Sequence, residues 1–207
     1  MEDVLDLYAE PYDPTKPVVC FDEVPVQLIG ESRPPLPPRP GTPRRVDYEY
    51  IRNGTCNVFV MVEPLRGWRQ LTVTDHRGSR DFAQQMRSLV ETYPAAERIR
   101  VVLDNLNTHK PEVLYETFPP AEARRIARKL EFHYTPTHGS WLNMAEIELS
   151  VLARQCLNQR IPSSDLLRQV IAAYEARRNA AQATITWQFT AEKARVKLRK
   201  LYPSPSL

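Results

Sequence analysis

Two short apolar runs in this chain each end on an aspartate, and that pairing constrains the fold more than any other feature. Val18-Val19-Cys20-Phe21 leads into Asp22, and the run at 99–103 leads into Asp104. Runs of this length and β-branched composition read as buried strands. An ionised carboxylate beside such residues must be hydrated, paired or bound to a metal. A single aspartate after a strand is commonly a turn residue. Two of them, on strands that can lie side by side, bring two carboxylates out together, and oxygen donors from two segments are what Mg²⁺ takes in phosphoryl-transfer sites.

The remaining pattern supplies a sheet and its cover. The first strand is expected to bend near Pro25 and continue to Ile29. Residues 56–62 and 68–74 read as strands joined by the turn Glu63-Pro64-Leu65-Arg66-Gly67. Phe82, Met86, Leu89 and Val90 have the spacing of an amphipathic helix over 79–92, capped by Ser79. A basic helical stretch follows at 119–130, then a strand at 131–135. Helices are expected from Ser140 to about Cys156, from Ser163 to about Arg178, and from Thr190 to Leu201. Strands first, then alternation, then helices suit an α/β domain with a mixed sheet flanked by helices.

A chain of 207 residues, 42% hydrophobic and 26% charged, is long enough for one such domain and too apolar to be wholly disordered. Residues 1–17 read as a lead-in or linker, 18–202 as the domain, and 203–207 as a tail. The stretch at 31–47 is rich in proline and arginine, with six prolines between Glu31 and Arg45, which rules out a helix interior or central strand and predicts an extended loop. No run approaches the roughly 20 apolar residues of a membrane span, and the acidic start MEDVLDLYAE is unlike a signal peptide, so the expected setting is cytoplasmic, with no membrane partner. Cys20, Cys56 and Cys156 show no C-x-x-C spacing, which argues against a disulfide framework or zinc site. From Thr190 onward, five basic residues stand against Glu192 alone, a distribution suited to phosphate contact or to a solvated helix face.

Holding a second ion needs a third acid, and Glu146 and Glu148 are the candidates. Two residues apart on a helix is about 200°, so at most one can face the site. Asn143, three before Glu146, lies on a neighbouring face, where it could steady a carboxylate or contact DNA. On spacing alone both glutamates remain possible. Two cations about 4 Å apart would activate a water or 3′-hydroxyl and stabilise the leaving oxygen of an in-line displacement at phosphorus.

The strings VVLDNLNTHK at 101–110 and HYTPTHGSWLNMAEIE at 133–148 resemble the catalytic domain of DDE transposases of the mariner-like superfamily, in its bacterial insertion-sequence branch. The ending WQFTAEKARVKLRKLYP is similar too, so the resemblance spans roughly 18–202. It places the three catalytic and metal-holding acids at Asp22, Asp104 and Glu146. It implies a ribonuclease H-like fold, two Mg²⁺ or Mn²⁺ ions, nicking at element ends and strand transfer into target DNA by a homodimer. The 42 positions between Asp104 and Glu146 exceed the family's usual spacing, and the stretch at 119–130 is expected to absorb the excess. The family usually carries helix-turn-helix modules before the first catalytic strand, and recognition of element ends is expected to fall to a separate DNA-binding chain. The alternatives are a catalytically silent DNA-binding or assembly remnant and a related metal-dependent nuclease.

Around the acids, His109 could orient a phosphate or the attacking water, and His138 and Trp141 flank the turn before the third acid, where an indole could stack on a base. Arg39, Arg44 and Arg45 in the proline-rich loop could grip a phosphate backbone or a partner subunit. These residues, with Asn143, make up the expected DNA-contacting set.

Overall fold

The computed structural model describes residues 1–43, 45 and 47–202. Five strands form one sheet: β1 (Val18–Glu31), β2 (Tyr50–Glu63), β3 (Trp68–Thr74), β4 (Ile99–Leu103) and β5 (Leu130–Tyr134). Their order is β3-β2-β1-β4-β5, with β2 antiparallel to both β1 and β3, and β4 parallel to both β1 and β5. The helices are α1 (Glu2–Ala9), α2 (Ser79–Thr92), α3 (Glu112–Thr117), α4 (Pro120–Lys129), α5 (Ala145–Gln155), α6 (Ser164–Ala180) and α7 (Ala191–Lys197), with short 3-10 turns at Ser140–Leu142 and Arg199–Leu201. This is the α/β mixed sheet flanked by helices that the pattern predicts. Among the described residues no helix is long and apolar enough to cross a membrane.

Strand alternation sorts the core into two faces. Val19 and Phe21 of β1, with Val101 and Leu103 of β4, pack against Phe82, Met86 and Leu89 of α2 and Leu114 and Ile126 beyond it. Cys20 and Val102 point the other way, toward α1, Ala145 and α7. Farther along that second face, Val24, Val26 and Leu28 meet Leu152 of α5 and Leu167 and Ile171 of α6. Asp22 shares the parity of Cys20 and Val24, so it points to the face that α5 covers.

The β1–β4 ladder ends at Cys20↔Val102. Asp22 and Asp104 each lie two residues beyond that pair, Asp22 within β1 and Asp104 just past the end of β4. From there β2 is the only strand paired with β1 among the described residues, which is why Pro25, opposite Asn57, sits in a continuous strand without the expected bend. The irregularity falls instead between Gln27 and Ile29.

Four other expectations need correction. Residues 1–17, expected as a lead-in or linker, pack on the domain: Val4, Leu5 and Leu7 of α1 are buried with Cys20 and Ala194, because an amphipathic turn beside an open sheet face gains by covering it. The helix expected from Ser140 starts at Ala145, after a 3-10 turn, and α2 is capped by Gly78, whose amide donates to Asp81 Oδ2 at 2.8 Å. The proline-rich stretch folds back on itself through bridges Leu36↔Arg45 and Arg39↔Thr42, with Arg160 donating to Asp47 O at its base. Arg44, Val46 and the tail at 203–207 lie outside the described residues.

Candidate metal centre and nucleic-acid groove

Asp22 is partly buried at the end of the β1–β4 ladder, and its Oδ1 accepts from the Glu23 amide at 2.9 Å. Burial pushes its carboxyl up to about 7, against the pull of that amide, and the charges of Glu146, Glu23 and Asp104 add to the rise. Three neighbouring acids therefore act on Asp22. Among the described residues no three His, Cys, Asp or Glu side chains stand close enough to hold a single ion. The donor set is all carboxylate oxygen, which fits hard divalent cations and not zinc or copper.

Asp104 follows β4, its side chain about one-third exposed, and its Oδ1 lies 2.6 Å from His109 Nδ1. His109 is 2% exposed, so it is not a surface DNA contact. Its ring stacks on Phe82 at 4.9 Å and meets Phe21 edge-on at 5.4 Å. On the far side, Nε2 is 3.4 Å from Glu23 Oε2. Burial opposes a charged imidazole here, but the Asp104 and Glu23 carboxylates outweigh it and raise its pKa to about 9. Glu23 was not singled out from the sequence; its signal was an acid at a position where alternation demands an apolar residue.

The two glutamates of α5 have opposite environments. Glu148 is fully buried: Tyr174 Oη donates to it at 2.7 Å, Arg178 Nη2 donates at 2.8 Å, and Arg69 Nε lies 3.2 Å away. Burial alone would raise its carboxyl, but Arg178, Tyr174 and Arg69 hold it below the usual range. Its lone pairs are used within the protein. Glu146 is exposed in the first turn of α5, on the side from which its charge acts on Asp22.

Asn143 sets the position of that turn. It is 1% exposed; its Nδ2 donates to Phe21 O at 2.8 Å and its Oδ1 accepts from the Ala145 amide at 3.1 Å. The side chain thus holds the first amide of α5 and ties it to β1 one residue before Asp22. With both ends of the amide engaged, Asn143 cannot serve as the DNA contact expected of it.

Trp141 is 45% exposed, its indole stacked on Trp187 at 6.4 Å and packed edge-on against Phe189 at 5.6 Å. It walls an open groove of about 690 Å³ with Ser140, Glu146, Ile147, Ser150 and Arg154. Glu146, Ser150 and Arg154 follow at four-residue steps along one exposed face of α5. Ser150 and Arg154 were not picked out from the sequence, although that spacing could have found them. His138 is exposed in the left-handed region, φ 60°, in the turn where the Gly139 amide donates to Pro136 O. Arg39 and Arg45 are exposed on the proline-rich arm. The arm leaves β1 nine residues past Asp22, roughly 30 Å along the strand, so the structure does not bring these arginines to the acids.

The chain matches the family described as DDE superfamily endonuclease over residues 17–168. It belongs to that family. DDE transposases generally use divalent metal ions, in keeping with the oxygen donors of this DDE domain. A search of curated proteins finds no match. Among solved structures, the Mos1 transposase paired-end complex with left transposon end is similar at TM-score 0.50 and 14% identity, over 84% of this chain and 57% of that one. The Mos1 strand transfer complex aligns at TM-score 0.47 and 13% identity, over 83% of this chain and 56% of that one. At these identities the first likeness shows the fold, which is ribonuclease H-like. The DDE domain here spans little more than half the length of either Mos1 chain.

Proposed function

We propose that this DDE domain is the catalytic part of a transposase of the mariner-like superfamily, in its bacterial insertion-sequence branch, cutting DNA at element ends and joining them to target DNA in the cytoplasm. The observation that carries the reading is the placement of Asp22 two residues past the last β1–β4 pair, Asp104 two residues past the same pair, and Glu146 in the first turn of the helix that Asn143 ties to β1. A cation bound beside the partly buried Asp22 would favour its ionised form. Asp22, Asp104 and Glu146 are the residues that would hold two Mg²⁺ or Mn²⁺ ions.

When bound, the ions supply Lewis acidity to a water or 3′-hydroxyl nucleophile and to the leaving oxygen. The chain's own residues position the reaction. Asn143 fixes α5, and therefore Glu146, against the strand of Asp22. Trp141 offers an aromatic face for a base beside the groove, Arg154 a positive charge for a phosphate, and His138 a donor at the groove's entry turn. Arg39, Arg44 and Arg45 are assigned to the DNA backbone or to a second copy of the chain in a homodimer on DNA, and recognition of element ends to a helix-turn-helix chain.

The test is cleavage and joining of a labelled DNA end by the chain with Mg²⁺ or Mn²⁺, beside Asp22→Asn, Asp104→Asn and Glu146→Gln. Metal-dependent products lost in all three folded variants are expected. Full activity in any one of them, or cleavage that survives chelation, removes the assignment. Cleavage without joining reduces the reading to a nuclease.

A further inference from the structure

We infer that Glu23 and His109 form a carboxylate–imidazole brace that fixes Asp104 in the orientation needed to bind a cation, which makes both of them positioning residues. The inference rests on the reading of Asp104 as a metal ligand. Its evidence is the geometry behind the site, on the sheet face opposite Asp22.

On β1, the positions sharing that face before Glu23 are Val19 and Phe21, both in the apolar core. Glu23 breaks the series, with a side chain 6% exposed and an Oε2 that is buried without a hydrogen-bond partner. Packing gives no reason for a carboxylate there. What it faces is the His109 ring, with Nε2 at 3.4 Å. The ring has little freedom: Phe82 lies flat against it, Phe21 abuts its edge, the His109 amide donates to Leu106 O at 3.0 Å, and Tyr134 Oη donates to His109 O at 2.9 Å. From that fixed ring, Nδ1 meets Asp104 Oδ1 at 2.6 Å.

The chain of contacts runs Glu23, His109, Asp104, with one carboxylate facing each ring nitrogen. Asp104 itself sits just past the end of β4, in a segment without strand pairing, where its side chain has no other described hydrogen bond to hold it. Engagement of Oδ1 leaves Oδ2 as the oxygen free for a cation. Groups that orient a metal ligand in this way commonly matter about 10- to 100-fold for metal affinity.

The test is direct Mn²⁺ binding to the folded chain, by titration calorimetry or electron paramagnetic resonance, with no turnover required. His109→Ala is expected to weaken binding about tenfold or more. His109→Asn should recover most of that loss, because its amide can donate to Asp104 from the Nδ1 position. Glu23→Gln should weaken binding in the same direction. Unchanged affinity in His109→Ala, with Asp104→Asn impaired, overturns the brace and leaves the metal centre standing. Unchanged affinity in Asp104→Asn overturns the metal centre itself. Should His109→Ala fail to fold, Glu23→Gln decides, and unchanged affinity there overturns the brace.

Discussion

Glu148→Gln keeps the size of the side chain and removes its charge, so it isolates the buried ion cluster from packing. Arg69 is fully buried and would lose the carboxylate 3.2 Å from its Nε. It would keep three backbone acceptors, Gly67 O at 3.0 Å, Arg178 O at 2.8 Å and Ala183 O at 2.6 Å. Arg178, one-fifth exposed, can turn to water. Removing one partner of a buried pair costs about 3–5 kcal/mol, and the retained carbonyls put this case at the lower end, about 3 kcal/mol. In a domain of this size that lowers the unfolding midpoint by roughly 6–12 °C. Thermal unfolding in chelator, read by far-ultraviolet circular dichroism, measures it. Glu146→Gln, two residues away, should stay within about 2 °C of the unsubstituted chain, as exposed substitutions do. The reasoning is refuted if Glu148→Gln melts within about 2 °C of the parent, or if Glu146→Gln carries the large drop.

Asp22 sets a pH dependence in chelator. Its folded-state pKa, about 7, lies above its unfolded value, so the folded chain holds the extra proton and loses stability as pH rises from about 4 through about 7. Asp22→Asn lacks that loss, and denaturant titrations should find the variant's relative stability growing across the same window; a constant difference would contradict the burial of the charge. Trp141→Ala should weaken binding of a single-stranded DNA end by about 5- to 150-fold, from about 1–3 kcal/mol of base stacking, with Mn²⁺ binding unchanged. Arg154→Ala should reduce the slope of log affinity against log salt by about one unit in fluorescence anisotropy titrations, and an unaltered slope would place the phosphate path elsewhere.

The positions of Asp22 and Asp104 are legible in the sequence because an acid that ends an apolar run has few structural uses, and parallel pairing then puts both at the same end of the ladder between neighbouring strands. The choice between Glu146 and Glu148 is not legible, because it depends on Arg69 from β3 and Arg178 from α6, groups whose proximity to α5 only the tertiary fold creates. Asn143 was read as a surface residue for a related reason: its partner is the carbonyl of Phe21, 122 positions away. The brace residues divide the same way. His109 drew notice through its distance from Asp104 along the chain, but Glu23 acquires its role only when the two strands are side by side. Pro25 signalled a bend that a free strand edge makes unnecessary. The burial of α1 was hidden because its few apolar residues gain meaning only against a sheet face left open by the other helices.

The parts of the centre are spread along the chain, and this governs when it can exist. Asp22 and Asp104 leave the ribosome well before Glu146. The groups that seat Glu148, and through it α5, come later still, at Tyr174, Arg178 and the Ala183 carbonyl that holds Arg69. Translation therefore completes most of the domain before all three acids can be set against one another. No N-terminal piece that ends before Ala183 contains both the acids and the supports that position them, so synthesis itself delays the appearance of the proposed centre.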